Sequence, residues 1–205
     1  MVTSFQPGDG KSRTSLNLAC VYSWTDKKVL LIDGDFRKAT LRESFPSAPK
    51  EGFLEYLKAD DKDIHDFIVK EAAPNLDYLP AGRWDDFVTE ILQGEKLENA
   101  IKVLKEEYDH VIIDTAPATR VVDTVQLSEV TDGTLIVARS GKTKPEEIQV
   151  VQEALSPGKA IGFIVNDLKA SEMKYANYAN SVYGYGGSAS YGYGYTYKSY
   201  KAKKY

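Results

Sequence analysis

Short, uninterrupted apolar runs recur along the chain, at Val29–Ile32, Val111–Ile113, Leu135–Val137 and Ile161–Val165. Runs of this length, rich in β-branched residues, are typical of strands buried on both faces of a parallel sheet. A further short strand is predicted within residues 75–82, where an apolar stretch ends at a Pro/Gly turn. The pattern therefore predicts a sheet of at least five strands.

Between these runs the apolar residues fall at three- and four-residue spacing, which predicts amphipathic helices. Residues 88–92 and 97–104 show this spacing most clearly, with Val88, Ile91 and Leu92 in the first stretch and Leu97, Ile101 and Leu104 in the second. Strands that alternate with helices indicate an α/β fold with a doubly wound, mostly parallel sheet and helices on both faces.

The two ends of the chain depart from this pattern. Only Met1–Ser4 precede a glycine-rich loop, whereas a central strand is about five or six residues long, so we expect a chain shortened at its start. After Lys169 the residues Leu, Ile and Phe vanish, and ten of the fourteen tyrosines lie between Tyr175 and Tyr205. Such a segment buries too little aliphatic surface to offset the entropy of ordering it. We therefore expect a folded body at residues 1–170 and a flexible tyrosine-rich tail at 171–205.

Composition narrows the class of protein. Hydrophobic residues at 42% and charged residues at 27% are ordinary for a globular domain and exclude a fibrous or wholly disordered chain. The net charge of −4 provides no basic field, so no nucleic-acid partner is expected. No run approaches the roughly 18 apolar residues of a membrane span, and with a single cysteine, Cys20, and no secretory signal the expected location is cytoplasmic.

The glycine-rich loop Pro7–Ser12 lies between the first strand and a helical stretch, as a P-loop requires. Its glycines let backbone N–H groups turn toward phosphates, and the helix N-terminus adds its positive dipole end. In this role Lys11 reaches the β- and γ-phosphates and the Ser12 hydroxyl coordinates Mg²⁺. The first glycine of the pattern is replaced by Phe5, which leaves an ordinary strand-to-helix turn as the alternative. The predicted nucleotide contacts are Pro7, Gly8, Asp9, Gly10, Lys11, Ser12 and Arg13.

Two aspartates follow a buried strand in the stretch Leu31–Arg37. Carboxylates at the carboxyl edge of a parallel strand face the ligand crevice. Asp33 and Asp35 are two residues apart, so along an extended chain they point the same way and can serve one metal–phosphate centre. The alternative is that they cap the next helix or pair with the neighbouring basic residues, Arg37 and Lys38.

A third acidic site ends another strand, in the stretch Tyr108–Pro117. Its aspartate, Asp114, occupies the position of a Walker B carboxylate, which holds Mg²⁺. Taken alone, this motif is weak evidence for a Walker B element. The three motifs in order, each at a strand's end, predict an ATP and Mg²⁺ site.

Together these motifs resemble those of the bacterial tyrosine kinases (BY-kinases) that regulate capsule and exopolysaccharide assembly. That family carries a P-G-x-G-K-S/T loop, a hydrophobics-D-x-D-x-R motif and a hydrophobics-D-T-x-P Walker B, which are Pro7–Ser12, Val29–Arg37 and Val111–Pro117 here. The tyrosine-rich tail matches the family's autophosphorylation cluster. The resemblance covers essentially the whole chain and implies that residues 1–170 are a P-loop ATP-binding kinase domain.

The resemblance also implies roles for individual residues. Asp33 is the base or metal-organising carboxylate, Asp35 and Asp114 support Mg²⁺ with Ser12, and Lys11 acts on the phosphates. A carboxylate is needed because the unperturbed pKa of tyrosine is about 10, so the acceptor hydroxyl is protonated at neutral pH. The tail tyrosines receive the γ-phosphate from a neighbouring subunit, and the predicted acceptors are Tyr183, Tyr185, Tyr191, Tyr193, Tyr195, Tyr197 and Tyr200.

For partners, the resemblance implies a membrane-anchored activator of the polysaccharide co-polymerase type, a cognate tyrosine phosphatase and recruitment to the inner face of the membrane. Family members also form ring-shaped homo-oligomers through an upstream helix with a Glu-x-x-Arg-x-x-Arg pattern, and this chain begins after the point where that helix would lie. Two further departures concern the loop after Ala81–Gly82, where Arg83–Phe87 stand in place of several prolines, and Asn166–Lys169, where the family often has Asn-Lys-x-Asp. Asn166 either reads the adenine or is a cap or turn residue.

The sequence leaves other functions open. A P-loop ATPase of the septum-positioning or plasmid-partitioning type shares the fold and the aspartate motifs, and it would use ATP as a dimerisation switch. A nucleotide-binding scaffold without turnover is a third possibility. The tail is alternatively a low-complexity segment in which tyrosines stack, and the basic residues Arg37, Lys38 and Arg42 are either a solvated face or phosphate contacts.

Overall fold

The computed structural model of the chain describes residues 1–119, 122–155 and 159–169. A compact body spans Met1–Leu168, and Lys169–Tyr205 form a second unit. The predicted flexibility of the tail and all seven predicted acceptor tyrosines lie outside the described residues.

The described residues build one seven-stranded sheet with the strand order β3-β4-β2-β5-β1-β6-β7. Its strands are β1 Val2–Ser4, β2 Val29–Gly34, β3 Val69–Ala73, β4 Leu76–Leu79, β5 His110–Thr115, β6 Thr134–Arg139 and β7 Ala160–Asn166. All neighbours pair in parallel except β3 and β4. This confirms the predicted α/β fold, and each of the five predicted apolar runs coincides with a strand. The prediction that these runs are buried on both faces is wrong for β7, an edge strand that exposes Ile161, Phe163 and Val165.

Helices cover both faces of the sheet. The α-helices are α1 Lys11–Ser23, α2 Phe53–Lys58, α3 Val88–Leu92, α4 Glu95–Glu107, α5 Val122–Glu129 and α6 Pro145–Ala154, with 3₁₀ turns at Thr40–Ser44 and Ile64–Phe67. Leu30 and Ile32 of β2 face a core shared with α2 to α6, and Leu31 faces a second core with α1. Because both faces are buried, β2 is apolar at consecutive positions.

Sequence reasoning missed β3, whose residues Val-Lys-Glu-Ala-Ala show no apolar run. It is an edge strand, half-buried, and its pairing with β4 is irregular between Val69 and Ala73. Edge strands need less apolar surface than central ones, so this element carries a weak sequence signal.

The parallel strands all end at the same edge of the sheet, and this carboxyl edge carries the loops after β1, β2, β4 and β5. The central strand β1 is three residues long, fully buried, and paired on both sides. No helix among the described residues is both long and apolar enough to cross a membrane.

Candidate active site

The loop between β1 and α1 has the shape of a phosphate cradle. Gly8 and Gly10 have φ angles of 87° and 102°, a left-handed backbone that glycine adopts without a steric penalty. Gly10 is the N-cap of α1 and forms no side-chain cap, so the first N–H groups of the helix are available to an anion. Phe5, at the position of the missing glycine, is fully buried and stacks on Phe163 at 6.2 Å.

Asp9 organises this loop from within. Its Oδ2 accepts a hydrogen bond of 2.7 Å from the backbone N–H of Gln6, and the side chain is almost fully buried. Pro7, Gly8 and Arg13 are exposed on the rim. No observation tests the predicted contacts of Pro7, Gly8 and Arg13 with a nucleotide, and they stay predictions.

Lys11 joins the loop to the aspartates after β2. Its Nζ lies 2.8 Å from Asp35 Oδ2, and the two side chains are only 9% and 2% exposed. The same Nζ donates to Ser12 Oγ at 3.1 Å. The fold thus brings the predicted phosphate-binding cation and a predicted metal-binding carboxylate into direct contact.

Ser12 has a hydroxyl neighbour that sequence reasoning missed. Its Oγ lies 3.0 Å from Thr40 Oγ1, and Thr40 opens the 3₁₀ turn after the aspartate motif. Threonines are common in loops, so residue type alone carried no signal for this contact.

Asp114 ends β5 at full burial beside the same cluster. Its Oδ1 accepts a hydrogen bond of 3.0 Å from Ser15 Oγ, whereas Oδ2 has no hydrogen-bond partner among the described residues. Burial raises the pKa of this carboxyl to about 6, against the lowering effects of the Lys11 charge and of the Ser12 and Ser15 hydroxyls. A buried carboxylate oxygen without a partner is costly and is satisfied by a cation.

Asp33 lies opposite Asp114 in the β2–β5 register and is also fully buried. Its Oδ1 accepts from the Asp35 backbone N–H at 3.2 Å, and its Oδ2 accepts from the Tyr78 hydroxyl at 3.4 Å. Burial, reinforced by the neighbouring Asp114 charge, raises the pKa of Asp33 to about 8. The strand ends at Gly34, so Asp33 and Asp35 have different partners: Asp33 is held within the sheet, and Asp35 pairs with Lys11.

The donor set fits Mg²⁺. Among residues 1–119, 122–155 and 159–169, no three His, Cys, Asp or Glu side chains gather into a metal cluster. Mg²⁺ does not require one, because it is usually held by one or two carboxylates, phosphate oxygens and water. Ser12, Asp35 and Asp114 lie within this contact network, and the unpartnered Asp114 Oδ2 is the group that such a cation would satisfy.

Asn166 contacts the loop from the end of β7. Its amide nitrogen donates to the Asp9 carbonyl at 2.8 Å, and a Cβ at Gly10 would collide with that amide. Asn166 therefore braces the phosphate loop, and its predicted contact with adenine remains a prediction.

Two of the three basic residues beside the aspartate motif, Arg37 and Arg42, have local partners for their side chains. Arg42 donates to the carbonyls of Ala48 and Pro49 at 2.7 and 2.9 Å. The Arg37 guanidinium lies 4.7 Å from the ring centre of Trp84 and its Nε is 3.6 Å from Asp123 Oδ2. These contacts favour a structural role for Arg42 and place Arg37 between loops of the carboxyl edge.

Comparison with known proteins identifies the family. A family model described as an AAA domain matches residues 1–151. Tyrosine-protein kinase YwqD of Bacillus subtilis is 35% identical over 190 residues, covering 92% of this chain and 77% of that protein. Tyrosine-protein kinase CpsD of Streptococcus agalactiae is 31% identical over 182 residues, covering 87% of this chain and 79% of that protein.

Lengths differ among the relatives. Tyrosine-protein kinase ptk of Acinetobacter johnsonii is 34% identical over 171 residues, which are 82% of this chain but 23% of that protein. The chain therefore matches about a quarter of the length of the Acinetobacter johnsonii protein.

Solved structures agree with this assignment. The kinase domain of the Escherichia coli tyrosine kinase ETK superposes with a TM-score of 0.74 at 29% identity, covering 82% of this chain and 66% of that one. A putative plasmid partition protein of Borrelia burgdorferi, bound to AMPPNP, has a TM-score of 0.63 at 20% identity, covering 89% and 96%, which shows a shared fold alone. With its nucleotide-binding loop, its two aspartate motifs and these relatives, the chain belongs to the bacterial tyrosine kinase family, as a P-loop domain with protein-tyrosine kinase activity.

Proposed function

We propose that this chain transfers the γ-phosphoryl group of ATP to tyrosine hydroxyls, including those of its own C-terminal segment in another copy. The observation that carries the proposal is the contact of Lys11 with Ser12 and Asp35, next to the unpartnered oxygen of Asp114. Phosphoryl transfer depends on position and charge neutralisation, which this buried cluster can supply.

In the nucleotide complex, Lys11 leaves Asp35 to bind the β- and γ-phosphates, while the N–H groups at the start of α1 donate to them. Ser12, Asp35 and Asp114 would hold Mg²⁺, which neutralises the charge that develops on the phosphate oxygens. Asn166 and Asp9 keep the loop in shape through contacts that are already formed.

In the transfer step the tyrosine oxygen attacks the γ-phosphorus and a new O–P bond forms. The bond from the γ-phosphorus to the bridging oxygen breaks, and ADP leaves with the electron pair. The phenolic proton passes to the Asp33 carboxylate, which is fully buried and accepts hydrogen bonds from the Asp35 N–H and the Tyr78 hydroxyl. Because the pKa of Asp33 is about 8 in the nucleotide-free protein, its capacity to accept that proton rises with pH.

The proposed acceptors lie in the tail, and the support for them is the sequence. Tyrosines alternate with small residues there, and Lys198, Lys201, Lys203 and Lys204 follow. Each phosphate adds roughly −1.5 to −2 charge, so phosphorylation would reverse the sign of this segment and favour its release from an acidic site.

Regulation of capsular or exopolysaccharide polymerisation and export is the proposed physiological role, and its support is membership of the family. Family membership also supports the proposed partners, which are a membrane-anchored activator of the polysaccharide co-polymerase type, a cognate tyrosine phosphatase and further copies of this chain. It also supplies the proposed site of action, the cytoplasmic face of the membrane.

The test is to incubate the full chain with Mg²⁺ and γ-labelled ATP and to identify the labelled amino acid. Label on tyrosine in the wild-type chain and none in Lys11→Met supports the proposal. Release of labelled phosphate without phosphotyrosine would assign the chain to the partitioning type of ATPase instead.

A further inference from the structure

Two large aromatic side chains stand exposed on the loop that follows β4. Trp84 is 45% exposed and Phe87 is 67% exposed, and we call this pair the aromatic shelf. Single exposed hydrophobic residues are common, but two aromatics within four residues at a ligand-binding edge form a surface suited to binding. The shelf lies at the carboxyl edge of the sheet, where the phosphate loop also lies.

The loop that carries the shelf is held in one shape by its own hydrogen bonds. Trp84 Nε1 donates to Asp86 Oδ1 at 3.2 Å, and the Phe87 N–H donates to Asp85 Oδ1 at 2.9 Å. Asp85 also pairs with Lys58 of α2 at 3.0 Å. The aromatic rings are therefore presented on a supported loop, so a partner does not bear the full cost of ordering them.

Arg37 connects the shelf to the catalytic motif. It follows Asp35 by two residues, its guanidinium lies 4.7 Å from the Trp84 ring centre, and its Nε lies 3.6 Å from Asp123 at the start of α5. Asp123 also accepts a hydrogen bond of 2.9 Å from Thr89 Oγ1 of α3. Three loops of the carboxyl edge, after β2, β4 and β5, thus converge on one arginine beside the shelf.

We infer that the aromatic shelf is the docking surface for the acceptor segment, and that its occupant is the stretch 191–201 of a second copy. This inference rests on the proposed function. The stretch reads Tyr-Gly-Tyr-Gly-Tyr-Thr-Tyr-Lys-Ser-Tyr-Lys, and a sequence in which aromatic residues alternate with small ones is suited to stacking on Trp84 and Phe87.

Charge favours the same occupant. Residues 191–201 contain two lysines and no acid. With the charged residues that form ion pairs or ring contacts there included, the shelf loop and the start of α3 carry five acids and three cations, which are Asp85, Asp86, Glu90, Glu51 and Asp123 against Arg83, Lys58 and Arg37. Complementary charges of this kind mainly raise the rate of encounter and fix the direction of binding, while the aromatic contacts supply most of the affinity.

A two-copy assay tests the inference directly. A tagged Lys11→Met chain, which keeps its tail, serves as the acceptor, and the untagged enzyme is the wild-type chain, Trp84→Ala, the double variant Trp84→Ala/Phe87→Ala, or Trp24→Ala. Phosphotyrosine is measured on the recovered tagged chain as its concentration is varied. Trp24 is the matched control because it is a tryptophan, 74% exposed, at the C-terminal end of α1, which begins at the phosphate loop.

We expect Trp84→Ala to lower kcat/KM for the tagged acceptor by about tenfold, as for an aromatic residue at the centre of an interface, mostly through KM. The double variant should lose more, and the KM for ATP should stay within about twofold, since none of the described contacts of Trp84 and Phe87 reaches the phosphate loop. Trp24→Ala should match the wild type. Equal acceptor kcat/KM in the wild type and the double variant would overturn the inference and leave the proposed function intact.

A binding measurement keeps the inference testable even if no transfer occurs. In the full chain with Trp24→Phe, Trp84 is the only tryptophan, so its fluorescence reports on the shelf. Titration with a peptide of residues 191–201 should give a saturable change, and the same peptide with serine for every tyrosine should give none. Absence of phosphotyrosine in the wild type would count against the proposed function, whereas a flat titration with the tyrosine peptide would count against the shelf.

Discussion

At the scale of single residues, the buried pair of Lys11 and Asp35 dominates the site. The pair is almost unexposed, so each charge depends on the other, and removing one partner of a buried pair costs about 3–5 kcal/mol. In the proposed mechanism, nucleotide phosphates compete with Asp35 for the same Nζ. This proposed competition would link nucleotide binding to the release of a carboxylate toward the metal position.

Lys11→Met should abolish ATP-dependent chemistry, because the charge on the β- and γ-phosphates is lost. It should also lower the Tm of the nucleotide-free protein, because Asp35 is left buried without its partner. Adding Asp35→Asn should recover much of that Tm without restoring activity. Thermal denaturation and ATP turnover of the two variants provide the check, and full activity in Lys11→Met would refute the assignment of the loop.

Asp33 makes stability depend on pH. Its pKa is about 8 when folded, against 3.8 as the ordinary value, so the folded state binds an extra proton between these values. Stability from this group is fully present below about pH 4 and is lost as the pH rises to about 8. Asp33→Asn is uncharged throughout, so its Tm advantage over the wild type should grow from pH 4 to pH 8 and then level off.

The same variant separates two roles for Asp33. If Asp33 is the proton acceptor, Asp33→Asn lowers the rate of tyrosine transfer while ATP binding persists. The increase of the transfer rate with pH that the wild type shows should then disappear in the variant. If Asp33 instead organises the metal, Asp33→Asn weakens ATP binding before it affects transfer. ATP affinity and transfer rate, measured across pH 6 to 9 in both proteins, decide between them.

At the scale of elements, the apolar runs predicted β2, β4, β5 and β6 because these strands are mostly buried and require apolar residues. The apolar run of β7 also predicted a strand, but β7 lies at the edge of the sheet and exposes Ile161, Phe163 and Val165. The antiparallel edge strand β3 escaped prediction, since a half-buried edge tolerates lysine and glutamate. The apolar spacing of residues 88–92 and 97–104 predicted α3 and α4, whereas the six-residue α2 is too short for a periodic pattern and is set by packing against the core.

The contact between β7 and the phosphate loop gives a test at this scale. Asn166→Ala removes the hydrogen bond to the Asp9 carbonyl, which should loosen the loop and weaken binding of ATP and GTP by similar factors. Selective loss of ATP would instead show that Asn166 reads the adenine. Asn17→Ala, at an exposed position of α1, is the control and should change neither affinity.

At the scale of the whole molecule, the predictable part of the site is the part encoded in short local motifs. Lys11, Asp33, Asp35 and Asp114 were recognisable because each belongs to a characteristic stretch at or just after the end of a strand. Their partners Ser15, Thr40 and Tyr78 were not, since they reach the site only through tertiary folding. The exposed Trp84 and Phe87 were visible as a departure from the family's prolines, but only the structure places Trp84 beside Arg37.

The proposed acceptors belong to the tail of a second copy, so the proposed reaction is bimolecular. The rate of phosphorylation per molecule should therefore rise with protein concentration. A rate per molecule that is independent of dilution would show that transfer occurs within one chain.

The central claim is that this chain is a tyrosine kinase with acceptors in its own C-terminal segment. Mass-spectrometric mapping of phosphotyrosine on the full chain, after incubation with ATP and Mg²⁺, tests it most directly, with Lys11→Met treated in parallel. The account predicts phosphate on tyrosines between Tyr183 and Tyr200 in the wild type and none in the variant. ATP turnover in a wild-type chain that carries no phosphotyrosine would contradict it.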